Sequence, residues 1–287
     1  MIKLNLLGID FEDWFHPEFI QRHIPAKKNT PTVVNGIDKI LDWLRKNETY
    51  ATFFTVGELL EYKPELLDKI LDGGHEIAFH SMYHRRLDLH ENKEKFISEI
   101  KKFEDLTSHK SRGFRAPTFS LNYSSSWVVD ALSENGYLYD SSVIPAKTKL
   151  YGIPNAETKP YRITSSNLER DDPNGKILEF PLLTTKILWK TIPAAGGFYL
   201  RILPIKIIED AIVSNIKKGL PSTFYIHSWE LTPEFMQKVP LPFMENFVTY
   251  HNLGKALSKM ERIIKKFKFT SFSRFLADKK NFDFSKL

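Results

Sequence analysis

Short apolar runs of strand-like character alternate with stripes of helical spacing along almost the whole chain, and polar residues gather where the strand-like runs end. Residues 2–9 read as a buried strand stopped by Asp10, and residues 51–56, 75–79, 113–115, 137–139 and 222–226 read as further strands. Between them, Ile37, Ile40, Leu41 and Leu44 share one helical face, and Leu66, Leu67, Ile70 and Leu71 another, closed by Gly73 and Gly74. Phe96, Ile97, Ile100 and Phe103 form a third such stripe. The pattern predicts further helices at 125–135, 205–216 and 251–267, and a last strand at 269–272. Strands separated by helices must pair in parallel, so the chain is an α/β protein with a parallel sheet or barrel wrapped by helices. Residues 145–200 are broken by Pro145, Gly152, Pro154, Pro160, Pro173, Gly175, Pro181, Pro193, Gly196 and Gly197, which predicts long loops inside a single domain spanning 1–287. Such loops at a barrel mouth usually shape a binding site.

The chain of 287 residues has no cysteine, which excludes a disulfide scaffold, a thiolate metal site and a cysteine nucleophile. Its charge is uneven. The 41 Lys and Arg exceed the 35 Asp and Glu by six, and from 251 onward ten bases face three acids. That excess predicts a basic C-terminal helix, at about 251–267, able to touch an anionic membrane or a lipid-linked glycan. No motif for nucleic acid is present. No run approaches the ~18 apolar residues of a membrane span. Residues 1–9 lack a small-residue cleavage site, so the expectation is a cytoplasmic protein, peripheral to the inner face of the membrane.

Five clusters carry the chemistry, each near a predicted strand end. The first holds three acids in four positions, Asp10, Glu12 and Asp13 in IDFEDWFH, a crowding that costs stability unless a cation or water offsets it. The second is FHSMYH, where His80 and His84 are spaced to meet one metal from a single helical turn. Two imidazoles and one carboxylate make a three-ligand site with an open position. The third is GFRAPTF, in which the Ala-Pro pair stiffens the backbone beside Arg115. The fourth, YDSS, holds Asp140, and the fifth, IHSWE, holds His227 as a candidate general acid with Trp229 and Glu230 beside it.

Taken in order, DFED, HSMYH, RAP, YDSS and IHSWE resemble the polysaccharide deacetylase family, the NodB-homology domain of carbohydrate esterase family four, from about Leu4 to Phe272. EFPLL at Glu179, AGGFYLRILP at Ala195 and HSWE at His227 resemble the branch found with bacterial exopolysaccharide and surface-glycan synthesis. The resemblance implies a distorted (β/α) barrel, with seven strands expected. It also implies removal of an N-acetyl group from an acetamido sugar or glycan with the help of one divalent metal, zinc by expectation. On that reading His80, His84 and one acid hold the metal, Asp10 is the base, Arg115 holds and aims Asp10, and His227 protonates the leaving amine. Asp140, Trp229 and Glu230 are expected to touch substrate. The sequence departs from the commonest form, in which two aspartates are adjacent. Glu12 falls on the side of Asp10 if the strand continues. Asp13 is available if the chain turns, and its shorter arm tips the choice slightly toward it while leaving both open. A metal-free cyclic amide hydrolase of the allantoinase type is the alternative enzyme. A sugar-binding protein on the same fold is the non-catalytic one.

Overall fold

The computed structural model describes residues 4–25, 29–88 and 92–278. Eleven strands run in chain order: β1 (Leu4–Phe11), β2 (Thr52–Thr55), β3 (Glu76–Phe79), β4 (Gly113–Phe114), β5 (Tyr139–Asp140), β6 (Tyr161–Ile163), β7 (Ile177–Glu179), β8 (Thr184–Ile187), β9 (Lys190–Pro193), β10 (Thr223–His227) and β11 (Lys268–Thr270). Seven of them form parallel staves in the order β10-β1-β2-β3-β4-β5-β7. Just past β7, a parallel bridge from Leu182 to Thr223 brings the chain back to β10, curling the sheet into a distorted barrel. β6 adds antiparallel to β7, and β11 pairs with the first residues of β1.

β1 is the central stave because its LNLLGIDF run is buried along nearly its full length, as the continuous apolar pattern requires of a strand covered on both faces. Inside the barrel Gly8 has a steric duty: a Cβ there would lie 2.5 Å from Nη1 of Arg115. The absent side chain makes room for a guanidinium that is wholly buried in the barrel. Helices Ile37–Lys46, Lys93–Leu106 and Ile205–Lys217 lay their apolar stripes on the outside of the sheet.

Three expectations need correction. Residues 145–200 are not only loops; they hold β6 to β9 and helix Gly197–Ile202. The strands there are three or four residues long, too short for a periodic signal. The basic helix expected at 251–267 starts later, as Ala256–Lys266, because the chain breaks at Asn252, left-handed at φ 54°, after a separate helix Phe243–Tyr250. Arg201 takes up the carbonyls exposed at this break, donating to Val248, Thr249 and His251. The predicted strand at 269–272 is β11 followed at once by a helix, because the Ser271 hydroxyl caps Phe272–Ala277. The first residues of the predicted opening strand, and the last bases of the tail, lie outside the described residues.

Candidate active site

The carboxyl ends of β1, β3, β4 and β10 meet at one cleft, lined among others by Asp10, Glu12, His80, His84, His227 and Trp229. Parallel register sets this convergence. Asp10 stands opposite His227 across β1 and β10, and Phe79, the residue before His80, opposite Phe114, the residue before Arg115.

Asp10 and Arg115 form a buried ion pair, with Nη1 2.6 Å from Oδ1. The guanidinium is fixed from behind. Nε donates to the Ser141 carbonyl and Nη2 to the Ser141 hydroxyl, each at 2.9 Å, and the Phe54 ring lies 3.9 Å from its centre. An arginine locked in this way can only present its positive face to Asp10, which keeps that carboxylate aimed into the cleft.

Glu12, His80 and His84 are the only group of three His, Cys, Asp or Glu among the described residues whose ligand atoms all lie within 4.8 Å of one another. All three are buried. His80 Nδ1 lies 2.7 Å from the Arg115 carbonyl. A carbonyl only accepts, so Nδ1 carries the hydrogen and Nε2 keeps its lone pair for the cluster. Burial lowers the His80 pKa to about 4, outweighing the nearby Asp10 and Glu12 charges, so the ring is neutral and fit to ligate. His84 Nε2 sits 2.6 Å from Glu12 Oε2, yet that oxygen has no properly aligned hydrogen-bond partner. Burial alone would raise the Glu12 pKa, but the imidazoles of His84, His227 and His80 bring it well below the usual carboxylate range. The neutral His80 ring, the His84 ring and the ionised Glu12 carboxylate, with ligand atoms within 4.8 Å of one another and an orphaned oxygen among them, fit a divalent cation.

The geometry corrects the ligand choice. Asp13 does not face the cleft. Its Oδ1 accepts from the backbone N–H of Trp14 and Thr32 at 2.9 and 3.0 Å, and Oδ2 from Val33 and Val34 at 2.8 and 3.2 Å. This carboxylate caps the short helix Val33–Gly36. Glu12, the first residue after β1, instead turns its carboxylate to His84. The HxxxH motif is not a helical turn either. It is a loop with Ser81 and His84 left-handed at φ 59° and 52°, held by Ser81 and Met82 carbonyls accepting from the N–H groups of Gly57 and Glu58.

On the opposite wall, His227 Nδ1 lies 2.8 Å from Glu230 Oε2. Glu230 is fully buried and also accepts from Arg201 Nε at 2.7 Å. Burial of His227 would lower its pKa, but the charges of Glu230, Glu12 and Asp10 outweigh this and push it up to about 9. It is therefore an imidazolium at neutral pH. Trp229 stacks on His227 at 4.6 Å and donates Nε1–H to Glu12 Oε1 at 2.8 Å. One indole thus positions both the proposed acid and a cluster carboxylate.

Two further expectations change. Glu230 lies behind His227 and does not line the cleft. Asp140 is also buried away from it. It accepts from Ser142 Oγ at 2.5 Å, and Ser142 Oγ in turn accepts from the Ala116 N–H at 2.8 Å. YDSS is therefore a cradle for the Arg115 segment. Trp229 does line the cleft. Arg201, in the AGGFYLRILP stretch, is signalled in the sequence only as a lone arginine among apolar residues. His16 carries no motif signal; its Nδ1 accepts from the Asp13 N–H at 2.8 Å and its ring stacks on His84 at 5.7 Å.

Residues 29–139 match the family model described as polysaccharide deacetylase, and residues 141–277 match one described as a domain of unknown function. A peptidoglycan deacetylase of Helicobacter pylori is 26% identical over 112 residues, 38% of this chain and 37% of that protein. The matched stretch is thus well under half of that relative's length. The structure of a probable polysaccharide deacetylase from Pseudomonas aeruginosa PAO1 superposes with a TM-score of 0.57 at 14% identity, covering 92% of this chain and 85% of that one. A 4-alpha-glucanotransferase from Thermococcus litoralis gives 0.56 at 17% identity, over 97% of this chain and 41% of that one. These two likenesses show the fold. The two matched segments share one sheet, since β2 of the first and β10 of the second both pair with β1, which precedes both, and the second segment carries Arg201, His227, Trp229 and Glu230.

Proposed function

The chain belongs to the polysaccharide deacetylase family, and from that premise we propose that it is a metal-dependent hydrolase that removes the N-acetyl group from an acetamido sugar of a bacterial surface glycan or its precursor. The observation that carries this reading is the Glu12–His80–His84 cluster with the Asp10–Arg115 pair on one side and the His227–Glu230 pair on the other. On this reading residues 1–287 act as one catalytic unit, and the segment described as of unknown function provides its proton-donating half.

Glu12, His80 and His84 would hold the divalent ion, zinc in the simplest case. Bound there, it supplies Lewis-acid polarisation of an amide carbonyl. Asp10, paired with and aimed by Arg115, takes the proton from the attacking water. His227 gives its proton to the nitrogen as the carbon–nitrogen bond breaks, so the sugar leaves as an amine and the acyl group as acetate. That donation is essential because an amide anion is too poor a leaving group. Glu230 and Arg201 position His227. Phe19, Phe119, Tyr151, Phe198 and Tyr225 line the cleft walls and offer flat apolar surfaces to the faces of a sugar ring.

The basic C-terminal helix supports a membrane role less well than its composition suggests. Arg262 and Lys266 both bind Glu209, Lys265 binds Glu261, and Lys259 donates to the carbonyls of Leu200, Arg201 and Leu203. These cations already have partners within the fold, although Arg262, Lys265 and Lys266 remain largely exposed.

Elemental mass spectrometry of the purified protein tests the reading. About one divalent ion per chain is expected, and its loss in His80→Ala. A wild-type protein that takes up no zinc, cobalt or nickel on reconstitution would return the metal-free amide hydrolase to favour.

A further inference from the structure

We propose that the tip of the β8–β9 hairpin is a membrane-contact element, which inserts Leu188 and Trp189 among the headgroups of an anionic lipid bilayer. The hairpin is a two-stranded sheet of its own, apart from the barrel. Its lower part is anchored, because Ile187 and Ile192 pack against the core. Its tip is not. Leu188 is 81% exposed and Trp189 82%, and Leu188 is held left-handed at φ 56°, so the turn thrusts both side chains into solvent. Leaving two adjacent large apolar side chains in water is unfavourable unless something covers them.

The charge around the tip selects the cover. Lys186 and Lys190 flank the apolar pair, and Lys218 lines the same surface groove as Lys186. The run from Leu182 to Pro193, LLTTKILWKTIP, contains no acid. Tryptophan with an aliphatic neighbour between lysines suits the boundary of a bilayer, where the indole and the leucine enter the headgroup layer and the ammonium groups meet phosphates. The net charge of +6 favours approach to the same surface. A protein partner fits less well. A stable protein interface buries roughly 1,200 Å² or more, and a convex two-residue tip presents only a small part of that.

Trp189 supplies its own probe. Of the five tryptophans, Trp14, Trp43 and Trp229 are buried and Trp127 is partly buried. The test is co-sedimentation and tryptophan fluorescence with vesicles of phosphatidylglycerol and phosphatidylcholine at low salt, beside phosphatidylcholine alone. Binding to the anionic vesicles is expected, with a blue shift and quenching by brominated acyl chains. Leu188→Ser with Trp189→Ser should weaken partitioning at least tenfold while leaving metal content unchanged. Lys190→Glu should weaken it more than Lys265→Glu, which changes the net charge equally. No binding by the wild type, unchanged binding by the serine variant, or equal effects of the two charge reversals would overturn the proposal. So would a tip-dependent dimer in solution with no affinity for vesicles.

Discussion

Replacing Asp13 by alanine separates a structural acid from a chemical one. The Asp13 carboxylate accepts four backbone N–H bonds, from Trp14, Thr32, Val33 and Val34. Alanine leaves all four donors without it. The Thr32 bond is only partly buried, so water replaces it. The other three are buried, and each orphaned donor costs about 1–3 kcal/mol. With relaxation, the sum is about 4 kcal/mol. For a chain of this size 1 kcal/mol moves the midpoint by about 2–4 °C, so Tm should drop by about 10 °C. Urea denaturation measures the loss, and metal content is read on the protein that remains folded below the transition. Asp13→Ala should lower the midpoint and keep the metal. Glu12→Gln should keep nearly the wild-type midpoint and lose the metal. An Asp13→Ala protein of unchanged stability that no longer binds metal would refute the assignment of the two acids.

Three other outcomes are expected. Burial and the Arg274 charge hold the His75 pKa at about 4, below the unfolded value of 6.5, so its contribution to stability is intact above pH 6.5 and is lost as pH falls toward 4, by up to about 3 kcal/mol. Denaturant melts at pH 7 and pH 4.5 should show a slope that His75→Asn flattens, and a variant with the wild-type slope would contradict this. Glu230→Gln removes the nearest anion from His227, whose pKa is about 9, so the alkaline limb of kcat/KM should move down by at least one pH unit; a limb that stays in place would assign the proton donor elsewhere. Gly57→Ala drives a methyl group into the Met82 sulfur between the two cluster histidines. It should weaken zinc affinity measured by chelator competition, and an unchanged affinity would show that the loop does not set the ligand geometry.

The barrel was legible because its staves are bounded by strong signals: an apolar run ending in an acid at Asp10, and helical stripes of aliphatic residues between strands. The site was legible where a motif fixes its own partner, as His80 and His84 do. It was not legible where the partner comes from a distant turn. Asp13 and Glu12 differ in role because Asp13 meets three N–H groups that arrive 19 to 21 residues later, at the start of the helix it caps, and no local spacing reports that. Asp140 resembled a substrate contact for the same reason: its partner, Ser142, serves the backbone of a segment more than twenty residues upstream. Arg201 is not legible because its partners, the Glu230 carboxylate and the carbonyls of Val248, Thr249 and His251, lie 29 to 50 residues away. The basic helix misled because charge counts ignore where the counter-ions fold, and Glu209 lies on another helix.

Acetate release from a panel of acetamido-sugar oligomers tests the central claim most directly, using chelator-stripped protein before and after one equivalent of zinc. The account predicts release that depends on the added zinc and falls by about 10²–10⁴ in Asp10→Asn, with the metal still bound. Acetate release by the stripped protein, or full activity in Asp10→Asn, would contradict it.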